Sequence, residues 1–325
     1  MKAVCLFSGG LDSQLAVCLV KAQGIEVEAV NFSSPFFGGG SKIAESAEEL
    51  GIALKTIDIS DEYIPVLKNP RYGYGKNMNP CIDCHSFMIR KAGEYMPETG
   101  ASFIITGEVL GQRPMSQNRS AMGAVEKLSG FPGMIVRPLS ARLLPPTIPE
   151  NNGWIDRERL SDIKGRSRSR QMELAASFGI TDYPTPAGGC LLTMENYSRR
   201  LRLLLESHAE AAAADMEILK HGRHFWNNGY LLIIGRNQTD NLNLQSFVRP
   251  SDYLLKVTTH PGPVALLRSF NPVGIEDLEW AAALTARYSD AVTLPSANVR
   301  ITKDDGETVE IDVVPLSRDK TPIPV

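Results

Sequence analysis

Seven residues near the start of the chain, Phe7-Ser8-Gly9-Gly10-Leu11-Asp12-Ser13, have the types and spacing to grip a phosphate. They follow a short apolar run, Ala3 to Leu6, and precede a helix-like stretch, Gln14 to Gln23. Two glycines let backbone amides converge on an anion, Ser8 and Ser13 add hydroxyl donors, and the helix start contributes the positive end of its dipole. The string has neither the Lys-Ser/Thr pair of a Walker loop nor the Gly-x-Gly-x-x-Gly spacing of a dinucleotide fold. A phosphate loop of another kind is expected.

Cysteines form the second candidate group. Cys81 and Cys84 stand in Asn79-Pro80-Cys81-Ile82-Asp83-Cys84, at or just before a helix start, with both sulfurs on one side of a turn. A helix N-terminus lowers a thiol's pKa, so at least one of the pair is expected to be partly thiolate near neutral pH. Cys190, in Pro186-Ala187-Gly188-Gly189-Cys190, is a third candidate in a glycine-bearing loop. Two chemistries fit these thiols. In one, Cys81, Cys84 and Cys190 ligate a 4Fe-4S cluster whose remaining iron is open to carry sulfide. In the other, one cysteine carries a persulfide and a second releases the sulfur by closing a disulfide. A zinc site would need His85 as its fourth ligand, and its place directly after Cys84 makes that awkward. Cys5 and Cys18 fall in the first strand and first helix and are expected to be core thiols.

The elements that must position these groups alternate. Strand-like runs at Ala3 to Phe7, Val27 to Phe32, Ala53 to Ile59, Ser102 to Thr106 and Met134 to Leu139 are interleaved with helix-like segments near Leu15 to Ala22, Lys42 to Leu50 and Phe87 to Tyr95. This is the rhythm of a parallel α/β sheet, with Gly24, Gly51 and Gly100 marking helix ends. Ligands of such sheets lie beyond the carboxyl ends of the strands, where Ser8 to Ser13 and the segment from Thr106 both fall. The rhythm closes at the Pro-rich stretch Pro145 to Pro149. From Glu195 a long helical region to Leu219 gives way to strands at Tyr230 to Ile234, Tyr253 to Thr258, Val264 to Arg268, Val299 to Lys303 and Val309 to Pro315, with a helix from Glu276 to Tyr288. Asp304-Asp305-Gly306 reads as a hairpin turn. Two domains are expected, 1–194 and a smaller α+β unit over 195–325.

Composition sets the outer limits. The chain has 325 residues, 43% hydrophobic, enough for two real cores. No charged leader precedes an apolar signal segment and no run of about 18 apolar residues could span a bilayer, so a cytoplasmic protein without membrane contact is expected. Five cysteines, an odd number, argue for metal or redox chemistry over a disulfide framework. The net charge is −3, so any nucleic-acid contact must use local patches. Between Arg157 and Arg202 nine basic residues face five acidic ones, with Lys164 to Arg170 the densest part.

The Ser-Gly-Gly-Leu-Asp-Ser string resembles the PP-loop of the ATP pyrophosphatase superfamily, whose fold is adenine nucleotide alpha hydrolase-like and whose members cleave ATP between the α and β phosphates. Thr106-Gly107-Glu108-Val109-Leu110-Gly111-Gln112, then Ser116-Gln117 and Arg137-Pro138-Leu139, look like the nucleotide-site segments of 4-thiouridine synthetases. Asn79-Pro80-Cys81 is similar to the cysteine motif of the tRNA 2-thiouridylase family. His260 to Arg268, followed by Ala281 to Ser289, is similar to the RNA-binding module of NFACT proteins. No THUMP-like segment lies before the loop, and Ser140-Ala141-Arg142-Leu143 replaces the synthetase's acidic and lysine residues. The resemblance therefore bears more on the nucleotide than on the substrate.

It implies an ATP-dependent tRNA sulfurtransferase that thiolates a uridine through an adenylated intermediate, releasing AMP and pyrophosphate. Ser8, Gly9, Gly10, Leu11 and Ser13 would bind the pyrophosphate, Asp12 would position Mg2+ or the reacting groups, and Thr106, Gly107 and Gln117 would line the same pocket. Cys81 and Cys190, with Asp12, would be catalytic; the implied partners are tRNA or another RNA and a donor of sulfide or persulfide. The basic patch at Lys164 to Arg170 would then touch phosphates. Two alternatives stand beside this reading: a PP-loop sulfurtransferase or ligase acting on a small molecule, and a nucleotide- and RNA-binding protein without turnover.

Overall fold

The computed structural model describes residues 1–183, 189–227 and 229–325, which form two compact units, Met1–Thr193 and Met194–Val325. The first unit is built on β1 (Lys2–Leu6), β2 (Glu26–Ser33), β3 (Ala53–Asp58), β4 (Phe103–Thr106) and β5 (Ile135–Val136), in the order β3-β2-β1-β4-β5. All pairings are parallel, as α/β alternation requires. Its helices are α1 (Leu11–Lys21), α2 (Ser41–Glu49), α3 (Ser60–Lys68), α4 (Cys81–Thr99), α5 (Arg119–Ser129), α6 (Ile148–Asn151) and α7 (Ser169–Ser177).

β1 is the middle strand, pairing Leu6 with Val30 on one side and with Thr106 on the other. Both of its faces are covered, so Ala3, Val4 and Cys5 are fully buried without polar alternation. Leu11, Leu15, Val17 and Val20 of α1 pack in the core with Phe103 and Ile105 of β4. The last strand is shorter than the run Met134 to Leu139 suggests. Pro138 has no N–H to give, and Arg137 turns its guanidinium onto buried Glu108 at 2.9 Å. The unit also continues past the prolines at 145–149. Asp156 and Gln23 exchange two hydrogen bonds, and Arg159 Nη2 donates to the carbonyl of Ala22 at the end of α1.

The second unit holds α8 (Glu195–Ser207), α9 (Ala213–Glu217), β6 (Arg223–Asn227), β7 (Tyr230–Ile234), α10 (Gln238–Ser246), β8 (Tyr253–Val257), β9 (Val264–Ser269), α11 (Ile275–Arg287), β10 (Ala297–Lys303) and β11 (Thr308–Val313). Its six strands form an antiparallel sheet, β11-β10-β8-β9-β7-β6, with α11 on one face. The α+β reading of this part is what the structure has. The long helix expected from Glu195 to Leu219 is broken after Ser207: Asp215 accepts the Ala212 N–H at 3.0 Å and starts α9 afresh. Gly306, with φ of 86°, turns the hairpin between β10 and β11.

Candidate nucleotide and sulfur site

The loop leaves the sheet tethered by its neighbours. Phe7 still pairs its N–H with Val30, while Asn31 Nδ2 donates to the Phe7 carbonyl at 2.8 Å and ends the strand there. Gly9 has φ of 70°, a left-handed conformation, and a Cβ on it would lie 3.2 Å from the Ile43 backbone. Gly10 is the N-cap of α1; its carbonyl accepts from the Ser13 and Gln14 N–H groups and from Ser13 Oγ at 2.8 Å. Gln14 Nε2 takes the Gly9 carbonyl at 2.9 Å. With the carbonyls tied to the α1 side, the first-turn amides at Leu11 and Asp12 have no helical acceptor, which is the anion-binding condition of a helix start. Exposed Ser8 sits 3.4 Å from Ser13, oxygen to oxygen.

The segment after β4 closes against this loop. A Cβ on Gly107 would come within 2.6 Å of the Asp12 carbonyl carbon and the Ser13 nitrogen, so only glycine fits. Gln112 Nε2 donates to Asp12 Oδ2 at 2.9 Å. Three oxygens here are buried without a hydrogen-bond partner: Asp12 Oδ1, Gln112 Oε1 and Gln117 Oε1. Buried acceptors are paired in most proteins, and oxygens left open suit a hard cation or donors from a ligand. Thr106 Oγ1, which the sequence places in the pocket, is engaged with Glu108 Oε2 at 3.1 Å.

Glu108 is the hub. Its carboxylate meets Arg137 Nε at 2.9 Å and His85 Nδ1 at 3.0 Å, and Arg137 reaches on to Glu126 at 3.4 Å. Burial acts to raise its pKa, but the Arg137 charge and the His85 contact outweigh it and hold the carboxyl at about 2. The hub also ties the cysteine end of α4 to the phosphate loop: His85 follows Cys84, and Glu108 follows Gly107.

Cys81 opens α4, half-buried, and Asn79 Nδ2 donates to its sulfur at 3.2 Å. Asp83, between the two cysteines, is an anchor: it accepts the N–H groups of Arg71 and Tyr72 at 2.8 and 3.0 Å. Cys84 is buried against Tyr63, and burial, followed by the fields of Cys190 and Cys81, pushes its thiol far up. Burial likewise raises Cys190, to about 11, with Arg113 pulling the other way. Of the pair at the start of α4, Cys84 does not meet the expectation of a partly ionised thiol, because desolvation exceeds what the helix terminus offers. The three thiols do share one region, each within the electrostatic reach of another. Among the described residues, however, no three Cys, His, Asp or Glu side chains are arranged to hold a metal ion. Cys5 is core, as expected; Cys18, on α1, is half-buried. The part of the Cys190 loop at Pro186, Ala187 and Gly188 lies outside the described residues.

Much of the basic stretch is engaged within its own unit. Arg157 is bound to Glu150, Arg159 to the Ala22 carbonyl, Arg170 to Asp162, and Arg200, in the second unit, to the carbonyls of Leu219 and Val325. Lys164 and Arg166 are exposed. The structure brings Gly107 of the second segment against Asp12 and Ser13 of the loop; sequence reasoning named Gln112, Glu108 and Arg137 only within the nucleotide-site segments, and His85 only as an awkward zinc ligand, and gave none of them a role. The signal for the last three is their charge within apolar surroundings, legible only once the strands are paired.

Residues 1–141 match the family model of the thiamine biosynthesis protein (ThiI). The matched stretch holds the phosphate loop and most of the first unit's sheet. Residues 222–322 match the model of the NFACT protein RNA binding domain. A probable tRNA sulfurtransferase of Finegoldia magna is 32% identical over 144 residues, 43% of this chain. The chain spans about a third, 36%, of that relative's length. A crystal structure of a 4-thiouridine synthetase–RNA complex with bound ATP is 22% identical, with a TM-score of 0.40, covering 67% of this chain and 52% of the other. A predicted subunit of tRNA methyltransferase from Methanocaldococcus jannaschii is 19% identical, with a TM-score of 0.32, over 42% of this chain and 69% of the other. The ThiI-family match takes in the loop, Gln112, Cys81 and Cys84, and ends at Ala141, before Cys190.

Proposed function

We propose that the protein is an ATP-dependent tRNA sulfurtransferase that adenylates a uridine and replaces its carbonyl oxygen with sulfur. The observation that carries this reading is the link from phosphate loop to cysteines: Gly107 seated on Asp12, and Glu108 bound to His85 next to Cys84. The relative named a probable tRNA sulfurtransferase and the ThiI-family match support it.

In this mechanism the amides around Gly9, Gly10 and Leu11, with Ser8 and Ser13, bind the β and γ phosphates of ATP and leave the α phosphorus open. A uracil carbonyl oxygen attacks that phosphorus and pyrophosphate leaves. Asp12, Gln112 and Gln117, whose oxygens are buried and open, would hold Mg2+, which would neutralise charge on the phosphates. Thr106, Gly107 and Gln117 complete the wall. The terminal sulfur of a persulfide on one of Cys81 and Cys190 attacks the activated carbon, and AMP departs with the former carbonyl oxygen. The other cysteine then attacks the carrier sulfur, so that the S–S bond to the nucleoside breaks and a Cys81–Cys190 disulfide forms, which a dithiol reductant must reopen before another turnover. This route needs two thiols, whereas a 4Fe-4S cluster would need all three of Cys81, Cys84 and Cys190 as ligands.

The deciding experiment is tRNA-dependent release of AMP and pyrophosphate with a sulfide or persulfide donor. Release without RNA would support a small-molecule substrate, and ATP binding without release a non-catalytic role. Anaerobically purified protein is expected to be colourless and iron-free, for both the wild type and Cys81→Ala; iron lost only in the variant would restore the cluster.

A further inference from the structure

A cavity of about 490 Å3 lies in the second unit, well within the size range of ligand pockets. Arg287, the last residue of α11, and Tyr288, its C-cap, form one wall; Arg318, Pro322 and Ile323 form the other. The second wall is held in place. Leu316 donates its N–H to the Ala283 carbonyl at 3.2 Å, Thr321 Oγ1 donates to the Ser317 carbonyl at 2.8 Å, and the Val325 N–H reaches the His224 carbonyl at 2.9 Å. Arg223 lies 5.0 Å from the centre of the Tyr288 ring and Phe225 tilts against it at 5.8 Å, so the ring is already ordered.

Charge and shape identify the occupant. No acidic residue lines the cavity, and neither Arg287 nor Arg318 has an ion-pair partner among the described residues. Two uncompensated guanidinium groups in one concavity create a positive field suited to a phosphate. Beside them, the Tyr288 ring, Pro322 and the 88%-exposed Ile323 offer flat apolar surface. A ligand with an anionic end and a planar apolar end meets both halves, and a nucleotide is such a ligand. The wall residues Arg287 to Pro322 fall within the stretch that matches the RNA binding domain model. We propose that this cavity holds one nucleotide of single-stranded RNA, its phosphate on Arg287 and Arg318 and its base against Tyr288 and Pro322. The proposal rests on the RNA-acting reading above and gives it a docking point on the second unit.

The test uses the full chain and a short fluorescein-labelled single-stranded oligoribonucleotide, read by anisotropy over a salt series. Arg318→Glu changes an exposed side chain and leaves the fold intact. It is expected to weaken binding about tenfold and to flatten the log–log salt slope by about 0.7, as one lost phosphate contact does on a single strand. Arg287→Ala should act similarly, and Tyr288→Ala should cost about tenfold with the slope unchanged, because stacking releases no counterions. Wild-type affinity and slope in Arg318→Glu and Tyr288→Ala would overturn the site while leaving RNA binding standing. A wild-type protein that binds no RNA would overturn the RNA reading and the site together. Titration with free UMP is the last arm: UMP binding lost in Arg318→Glu while RNA affinity stays intact would replace RNA with a free nucleotide.

Discussion

Each unit buries a cluster of charges, and the two clusters are finished differently. In the second unit Arg268 satisfies Asp252 through Nε and Nη2, Asp215 through Nη1 and the Phe247 carbonyl through Nη2, while Arg249 adds a 2.6 Å bond to Asp215. The cluster is closed. In the first unit Glu108 is equally well held, yet Arg137 Nη2 and the oxygens of Asp12, Gln112 and Gln117 remain buried and open. Closed clusters specify packing; open ones mark a place where a ligand completes the hydrogen bonding. The second unit has its own exception in His224, fully buried with only the Ile218 backbone for a polar neighbour and no close side-chain partner.

The sharpest break of this comparison is Arg268→Met. It strips Asp215 and Asp252 of a buried partner and is expected to cost about 3–5 kcal/mol in urea unfolding, with ATP turnover per folded molecule unchanged. Asp12→Asn should do the reverse. Pyrophosphate release is expected to fall about 10²–10³-fold, while the unfolding midpoint hardly moves, since Asp12 Oδ1 has no intramolecular partner to lose. A large loss of stability in Asp12→Asn would make the first cluster structural too.

Acid separates the units next. Glu108 has a folded pKa of about 2 against an ordinary 4.5, so its contribution is complete above pH 4.5 and vanishes as the pH falls toward 2. The amount is about 3 kcal/mol. His224 is depressed by burial and by Arg200 and Arg236, with His221 acting the same way, so its neutral form is favoured when folded. The unfolded chain gains a proton below 6.5 that the folded one refuses, and stability therefore declines as pH drops through that value. The second unit should begin to lose stability at a higher pH than the first, resolvable by hydrogen exchange; His224→Phe should abolish the early phase. Smaller effects close the series. Gly107→Ala is expected to cost about 1–3 kcal/mol through its collision with the α1 backbone and to weaken ATP binding in parallel. Arg170→Ala, whose ion pair with Asp162 lies at the surface, should leave the unfolding midpoint nearly unchanged in the same assay.

What the sequence made legible follows from where the information is local. Glycine and serine spacing at 8–13 encodes a backbone shape, so the loop and its helix could be read directly, as could the strand-like runs that became β1 to β4. α3 was hidden by Pro65 inside it, and α10 by a polar sequence whose order comes from Asn237 capping the Asp240 N–H. β6 was missed because Arg223, His224 and Trp226 do not alternate as a half-exposed strand does; its pairing with β7 overrides composition. In the site, the loop was local and therefore visible. The Gln112–Asp12 and His85–Glu108 contacts depend on strand order, which no spacing rule records.

The floor under the phosphate loop has a temporal consequence. Asp12 and Gln112 lie 100 positions apart, and Gly107 arrives with β4, which slots in beside the first strand made. A nascent chain emerging from the ribosome therefore carries the loop long before it carries the loop's support, and loop closure over such a span is slow. Nucleotide capture should switch on abruptly when translation passes this segment, making ATP a reporter of completed assembly of the first half.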